Sequence, residues 1–569
     1  MKKNLILQNP RPDLVQSIIG QTGCHPVTAR ILANRGITSQ PAINDFFHPS
    51  LNQIRAFGML ADMDAAVDRI THALLHHEKI LVFGDYDVDG VTATTLLHDF
   101  LRAAGGDVAY YIPHRTREGY GLTSAQIDGV VVSGKFRLVI TVDCGSSSHD
   151  AVRKAREAGI DVIVTDHHGI SGPLPQAAAV VNPKRPDCPS GADYLAGVGV
   201  AFCLLIRLRR HLRKIRFWET TAEPNLLDFC DLVALGTIAD VVPLIHDNRI
   251  MTRAGLEVIN ARPRPGIAAL IQASGIHKTV LDAEDIAFRL CPRLNAAGRL
   301  EHADLAVRLL QAQTRDAAVD LAKQLNGLNS KRQEVEQKIL EQILRYLNDT
   351  PEALKGSALV MGKADWHEGV LGVVASRLVD KFQRPVVLVS FHGDSGKGSG
   401  RGIPGLHLYD ALGECADLLE TFGGHAMAAG LRVKKENFPR FRECFDTAVA
   451  ARTRGRKPDQ DLSVDAPLSF DMINDQLMAE LALFQPFGQD NPEPLFCAEN
   501  VRVTRSQAIG NGHRRLFLAQ KSSPALLQAV WFHVDPQNLS LDHFDNLVFK
   551  LRWNHWNGKT SVQALVENA

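Results

Sequence analysis

Three times between residues 79 and 170 a short apolar run ends in aspartate. Ile80-Leu81-Val82-Phe83 leads into Gly84-Asp85-Tyr86-Asp87-Val88-Asp89-Gly90. Leu138–Val142 leads into Asp143-Cys144-Gly145, and Val162-Ile163-Val164 into Thr165-Asp166-His167-His168. Two more apolar runs, Val108–Ile112 and Ala179–Val181, fall in the same region, with helical periods such as Val91–Ala104 and Asp150–Ala158 between them. Near-continuous apolar strands alternating with helices predict an α/β domain whose parallel sheet is covered on both faces. The carboxyl ends of such strands line one crevice, so the three acidic clusters are expected to converge there.

Asp87 and Asp89 are two residues apart, which in an extended turn points both carboxylates to one side. A further acid, Asp240, sits in the apolar stretch Ala234–Val242, where an unpaired carboxylate is costly. An aspartate after a strand ordinarily caps the following helix. Asp85, Asp87, Asp89, Asp143 and Asp166, with His167, His168 and Asp240, are more acids and imidazoles than capping requires. Facing carboxylates repel without cations. Oxygen ligands with an imidazole suit Mn²⁺ or Mg²⁺, and two such ions can clamp the attacking and leaving oxygens of a phosphoester.

Lys plus Arg and Asp plus Glu both number 63, which excludes holding nucleic acid by gross charge alone. No apolar run is long enough to cross a membrane, and Leu5-Ile6-Leu7 is too short for a signal peptide. The nine cysteines form no Cys-x-x-Cys pair, which argues against a thiolate zinc site or a disulfide framework and for a reducing, cytoplasmic setting.

Residues from Asn248 to about Leu347 read as mainly helical, ending in a long connecting helix over Asp316–Leu347. A second α/β segment is expected, with strands Ala358–Met361 and Val386–Val389 and helices Val370–Lys381 and Leu408–Thr421. Glycine-rich turns around Ser399, Arg401 and Gly423-Gly424-His425 could cradle phosphate. Ala451–Gln460 reads as a linker. Short alternating strands beyond it suggest a small β-barrel, whose Phe517, Trp531, Phe532, Trp553 and Trp556 are either core or base-stacking residues. Arg207, Arg209, Arg210, Arg213, Lys214 and Arg216 form either a solvated helix face or a phosphate-tracking surface.

Asp85-Tyr86-Asp87-Val88-Asp89-Gly90, the Asp143 turn and Asp166-His167-His168 resemble the DHH phosphoesterases. Pro292–Arg299, Trp366–Val370, Gly398–Gly402, Gly423–Gly430 and Pro486–Pro494 are similar to the RecJ family within that superfamily, a resemblance running from about residue 30 onward. It implies a parallel-sheet DHH domain joined by a long helix to a DHH-associated α/β domain, then an OB-like barrel. The expected boundaries are 1–54 for an N-terminal extension, 55–245 for the DHH domain, 246–349 for a helical connector, 350–455 for the DHH-associated domain and 460–569 for the OB-like domain.

The resemblance further implies a single-stranded-DNA-specific 5′→3′ exonuclease of recombination and repair, releasing 5′ mononucleotides through a water activated by two ions. Asp87 and Asp89 would each hold one ion and Asp143 would bridge both. His167 and Asp240 would complete the second, with Asp85 and His168 behind them or against the phosphate. Family II pyrophosphatases carry a histidine four residues before the equivalent of Asp87; Phe83 stands there here, so the first ion has fewer protein ligands. Arg115, Arg299, Ser399 and Arg401 are the implied terminal 5′-phosphate pocket, with His425 a further substrate-binding residue. A monomer is expected, working with a RecQ-type helicase and a single-strand-binding protein. The alternatives are a DHH enzyme for short or cyclic nucleotides, against which the C-terminal domain argues, and a non-catalytic scaffold, against which the complete ligand set argues.

Overall fold

The computed structural model describes residues 4–170, 172–261, 263–453, 461–510, 512–534, 541–556 and 559–568. The chain divides into two compact units, one of residues 55–242 and 254–459, the other of residues 1–54, 243–253 and 460–569.

In the former unit, β1 (Ile80–Phe83), β2 (Val108–Tyr111), β3 (Leu138–Val142), β4 (Asp161–Thr165) and β5 (Ala179–Val181) form a parallel sheet in the order β2-β1-β3-β4-β5. Every residue of β1 and β3 is buried, as strands covered on both faces must be. Strand order reverses between β1 and β3, and the crevice at that switch point opens between the Asp85–Asp89 and Asp143 turns.

Helix α1 (Val88–Ala103) follows β1 and is buried over nearly its whole length. Its threonines tolerate this because the hydroxyls of Thr92, Thr94 and Thr95 donate to carbonyls one turn back. It packs on α2 (Gly197–Lys214) and α3 (Cys230–Ala239). The expected connecting helix is α4 (Arg315–Asp349), 35 residues long, started by a Thr314 side-chain cap.

Beyond it, β6 (Leu359–Ala364), α5 (Glu368–Phe382), β7 (Val386–His392), β8 (Ser395–Arg401), β9 (Leu419–Gly424) and β10 (Ala428–Lys434) build a five-stranded mixed sheet in the order β9-β10-β8-β7-β6. Two expectations change here. The helix over Leu408–Thr421 stops at Gly413, and Leu419 onward is strand. The glycine-rich segments at Ser399 and Gly423 are antiparallel strands rather than turns. Their glycines replace side chains that the sheet has no room for: a Cβ on Gly398 would stand 2.9 Å from Leu431 and 3.0 Å from Val389.

In the other unit, β11 (Phe496–Ile509), β12 (His513–Ala519), β13 (Leu527–Trp531), β14 (His543–Trp556) and β15 (Lys559–Asn568) run in the order β11-β12-β13-β15-β14, and pairing of β11 with β14 closes a five-stranded barrel. Its core includes Phe496, Val501, Leu547 and Phe549, packed with Ile18, Ile31, Leu32, Ile43 and Phe47 of the N-terminal helices. Strand Asn4–Leu7 pairs in parallel with Asp461–Val464. Residues 243–253, which the expected boundaries split between DHH domain and connector, belong with the barrel. Buried Arg249 holds them there, donating to the carbonyls of Phe46, Leu483 and Phe484 at 2.8–3.1 Å.

Trp531 is buried against Phe544 and so serves the barrel core, whereas Phe532 is half exposed. The side chain of Trp556 and linker residues 454–460 lie outside the described residues. The basic stretch of α2 is largely ion-paired, Arg207 with Asp64 and both Arg209 and Arg213 with Glu223, as on a solvated face. Among the described residues, no helix is long and apolar enough to cross a membrane.

Candidate metal centre and phosphate site

The turn after β1 does two jobs. The Asp87 carboxylate accepts the Gly90 N–H at 3.0 Å, capping α1, while Asp85 and Asp87 still present ligand oxygens to Asp143 within 4.8 Å. Gly90 is required by crowding: a Cβ there would lie 2.6–2.7 Å from the Asp85 backbone. Asp89 is fixed from the other side, its two oxygens accepting the N–H groups of Gly197 (2.7 Å) and Val198 (2.9 Å) at the start of α2. The partial positive charge of that helix terminus favours an anion there.

Asp143 follows β3 with φ of 61°, a left-handed conformation rare for a residue with a side chain. Asp240 stands at the C-terminal end of α3, where the carbonyl dipoles disfavour a carboxylate. His167 joins them, with Nε2 3.1 Å from Asp143 Oδ1, 3.6 Å from Asp240 Oδ2 and 3.8 Å from Asp89 Oδ2. Three groups are close enough to hold an ion: Asp85–Asp87–Asp143, Asp89–His167–Asp240 and Asp143–His167–His168.

Electrostatics and hydrogen bonding agree that this cluster fits divalent cations. Burial, then the neighbouring acids, raises Asp85 and Asp143 well above the carboxylate range and Asp89 to about 7. Asp240 is raised for the same reasons. Burial lowers His167 to about 3, so its imidazole is neutral and able to ligate. Asp85 Oδ1, Asp143 Oδ1, Asp240 Oδ2 and both ring nitrogens of His167 are buried without a hydrogen-bond partner among the described residues. Such orphaned atoms are expensive unless a cation takes them up.

Asp166 is used differently. Its oxygens accept the N–H groups of Ser146, His167 and His168 and the ring Nδ1 of His168. These bonds overcome burial and hold the carboxylate below its usual range, so Asp166 positions the two histidines. Burial opposes charge on His168, but the Asp166 bond prevails and raises it to about 9. The His168 ring stacks on His425 at 5.7 Å, bringing the loop after β9 to the cleft.

Arg115, Arg299 and Arg401 form a second cluster. Arg115 lies 4.8 Å over the Tyr86 ring, and Arg299 donates to the Gly369 carbonyl at 3.1 Å. Arg401 donates to Ser399 Oγ (3.2 Å) and the Gly400 carbonyl (2.7 Å). None makes an ion pair among the described residues. Burial first, then the neighbouring arginines, presses Arg299 down to about 9 and Arg401 to about 10, leaving both charged at neutral pH. Mutually repelling guanidinium groups with no ion-paired carboxylate could hold an anion. Gly372 leaves room for it, since a Cβ there would stand 2.5 Å from Arg401 Nη2.

Sequence reasoning missed Tyr120, which touches Asp143 and His168, and the glycines that let the helices close on the acids. The glycine-flanked Gly119-Tyr120-Gly121 was the available signal for the former. Gly236→Ala puts a Cβ 2.4 Å from Thr92 Oγ1 and 2.8 Å from Asp89 Oδ1. It is expected to cost about 1–3 kcal/mol in urea unfolding, as overpacking does, and to weaken Mn²⁺ binding in the same preparation. Wild-type values for both would show that α1 and α3 have slack here.

Residues 79–237 match the DHH family, N-terminal domain, and residues 355–451 the DHHA1 domain. With the acid-lined switch point, these place the chain in the DHH superfamily. Residues 464–568 match the RecJ OB domain. The single-stranded-DNA-specific exonuclease RecJ of Salmonella typhimurium is 38% identical over 95% of both chains, and that of Bacillus subtilis 35% over 99% of this chain and 70% of its own. The crystal structure of Thermus thermophilus RecJ in complex with Mn²⁺ superposes with a TM-score of 0.83 at 30% identity, covering 99% of this chain and 79% of that one. The chain belongs to the RecJ family.

Proposed function

We propose that this chain is a metal-dependent exonuclease specific for single-stranded DNA, degrading it 5′→3′ to 5′ mononucleotides in recombination and repair. The observation that carries the reading is the closeness of the Asp85–Asp87–Asp143 and Asp89–His167–Asp240 groups to an arginine cluster that makes no ion pair among the described residues. The names of the relatives supply the substrate class, and RecJ structures with Mn²⁺ and with Mg²⁺ support the cofactor.

In this reading Asp85, Asp87 and Asp143 would hold one ion, and Asp89, His167 and Asp240, with Asp143 nearby, the other. Two divalent ions would supply Lewis-acid polarisation of the phosphate and activation of water. The protein supplies the rest. Asp166 fixes the histidines, and His168 with His425 meets the scissile phosphate. Arg115, Arg299 and Arg401, with Ser399, would bind the terminal 5′-phosphate, so only a free 5′ end could bring its first internal linkage to the clustered carboxylates. That geometry makes the cut exonucleolytic and polar. Within this reading the chain is a cytoplasmic monomer, acting on strands opened by a RecQ-type helicase and coated by a single-strand-binding protein.

The test is single-stranded DNA labelled at its 5′ or 3′ end, incubated with Mn²⁺ or EDTA. Immediate release of the 5′ label as a mononucleotide, only with Mn²⁺, is expected. Immediate release of the 3′ label would overturn the arginine pocket as a 5′ anchor. Activity restricted to dinucleotides would overturn the long-strand substrate.

A further inference from the structure

Tyr120 has an unusual arrangement for a half-exposed tyrosine: the residue is 49% exposed, yet its hydroxyl is turned inward. The hydroxyl donates to the main-chain carbonyl of Asp143 at 3.1 Å and lies 3.0 Å from His168 Nδ1. A phenol carries a single proton, and the carbonyl can only accept, so that proton belongs to the Asp143 contact. The contact with His168 then runs the other way, from ring N–H to phenol oxygen. The same His168 nitrogen is 2.8 Å from Asp166 Oδ1, which also only accepts when ionised. Both contacts therefore put the proton on Nδ1. Nε2 has no hydrogen-bond partner among the described residues, so the ring is held through Nδ1.

We infer that Tyr120 is a positioning residue that ties the left-handed Asp143 turn to the His168 ring, fixing the shared metal ligand and the ring orientation together. The inference rests on the proposed metal role of Asp143. Asp143 needs such a restraint. Its φ of 61° is a strained state that persists only when surroundings hold it, and Asp143 is common to the Asp85–Asp87–Asp143 and Asp143–His167–His168 groups. The main-chain N–H of Asp143 is held by the Thr165 carbonyl at 3.0 Å, so Tyr120 anchors the opposite end of the same residue. The glycines on either side, both at positive φ (87° and 80°), give the loop the reversal that brings the hydroxyl in. Groups that orient ligands without touching the ion characteristically shift metal affinity or activity by about 10–100-fold when removed.

Tyr120→Phe keeps the ring and removes only the hydroxyl. Mn²⁺ affinity, followed by loss of the free-ion EPR signal without DNA, is expected to weaken by about 10-fold or more. The turnover number is expected to fall by a similar factor while KM for DNA changes little. Combined with His168→Ala, the loss is expected to be less than the product of the single losses, because both changes break one chain of contacts. Wild-type affinity and turnover in Tyr120→Phe, or strictly multiplicative losses in the double variant, would overturn the role of Tyr120. If the wild-type protein bound no Mn²⁺, the metal reading would fail instead, and the two failures are thereby distinguished.

Discussion

Asp143→Asn is expected to lower turnover by about 10²–10³-fold, the scale of losing a main electrostatic anchor of a transition state, and at the same time to make the metal-free protein more stable. The two effects have one cause. In the absence of cations the Asp143 carboxyl is buried among Asp85, Asp87, Asp89 and Asp240, which repel its charge. Asparagine has the same shape and tolerates the left-handed backbone, but brings no charge to be repelled. Calorimetry in EDTA should therefore show a higher Tm for the variant. Adding Mn²⁺ should reverse the ranking, because an ion bound at 100 times its Kd stabilises the wild type by about 2.7 kcal/mol and the variant much less. A variant that keeps normal turnover would sink the ligand assignment. One that loses activity but is destabilised in EDTA would show that Asp143 is needed for the turn rather than for the ions.

The second large effect is expected at Arg401. Arg401→Ala should lower kcat/KM on a 5′-phosphorylated strand by about 10²-fold, the cost of one or two charge-assisted hydrogen bonds to a buried anion. On a strand ending in a 5′-hydroxyl the loss should be several-fold at most. Preference for the phosphate is the quantity to measure, since a general defect lowers both rates together. Arg401→Lys is expected to recover only part of the preference, because an ammonium cannot reproduce the fork that reaches Ser399 and the anion at once. Equal losses on both strands would remove Arg401 from the 5′-phosphate pocket.

How much of the fold and of the site is legible in the sequence follows from the physics of each feature. The parallel sheet was legible because four-residue apolar runs such as Ile80–Phe83 have no other stable home, and convergence of their terminal acids follows from topology alone. The long helix was legible from its period. Strands β8 and β9 were hidden because glycine, which packs them, carries no strand signal. Local pattern also missed the end of the Leu408 helix at Gly413, since the register of β9 against β10 is a tertiary contact. In the site, Asp87 illustrates why the capping reading and the ligand reading could not be separated by sequence: the residue caps α1 and faces Asp143 as well. Asp166 is the reverse case, an acid of the same motif whose oxygens are taken up by backbone N–H groups. The contacts of Tyr120 depend on a loop path that no spacing rule encodes.

The pairing of Asn4–Leu7 with Asp461–Val464 spans 457 positions. As an equilibrium matter that distance costs little, since each doubling of a closed loop adds only about 0.6 kcal/mol. For a ribosome it is long: at roughly 5–20 residues per second, tens of seconds separate synthesis of the two strands. Throughout that time the nascent chain carries Ile18, Ile31, Leu32 and Phe47 without the barrel residues that bury them, while residues 55–242 already have their sheet partners. Birth order and folding order therefore run opposite ways in this protein: what is made first is finished last.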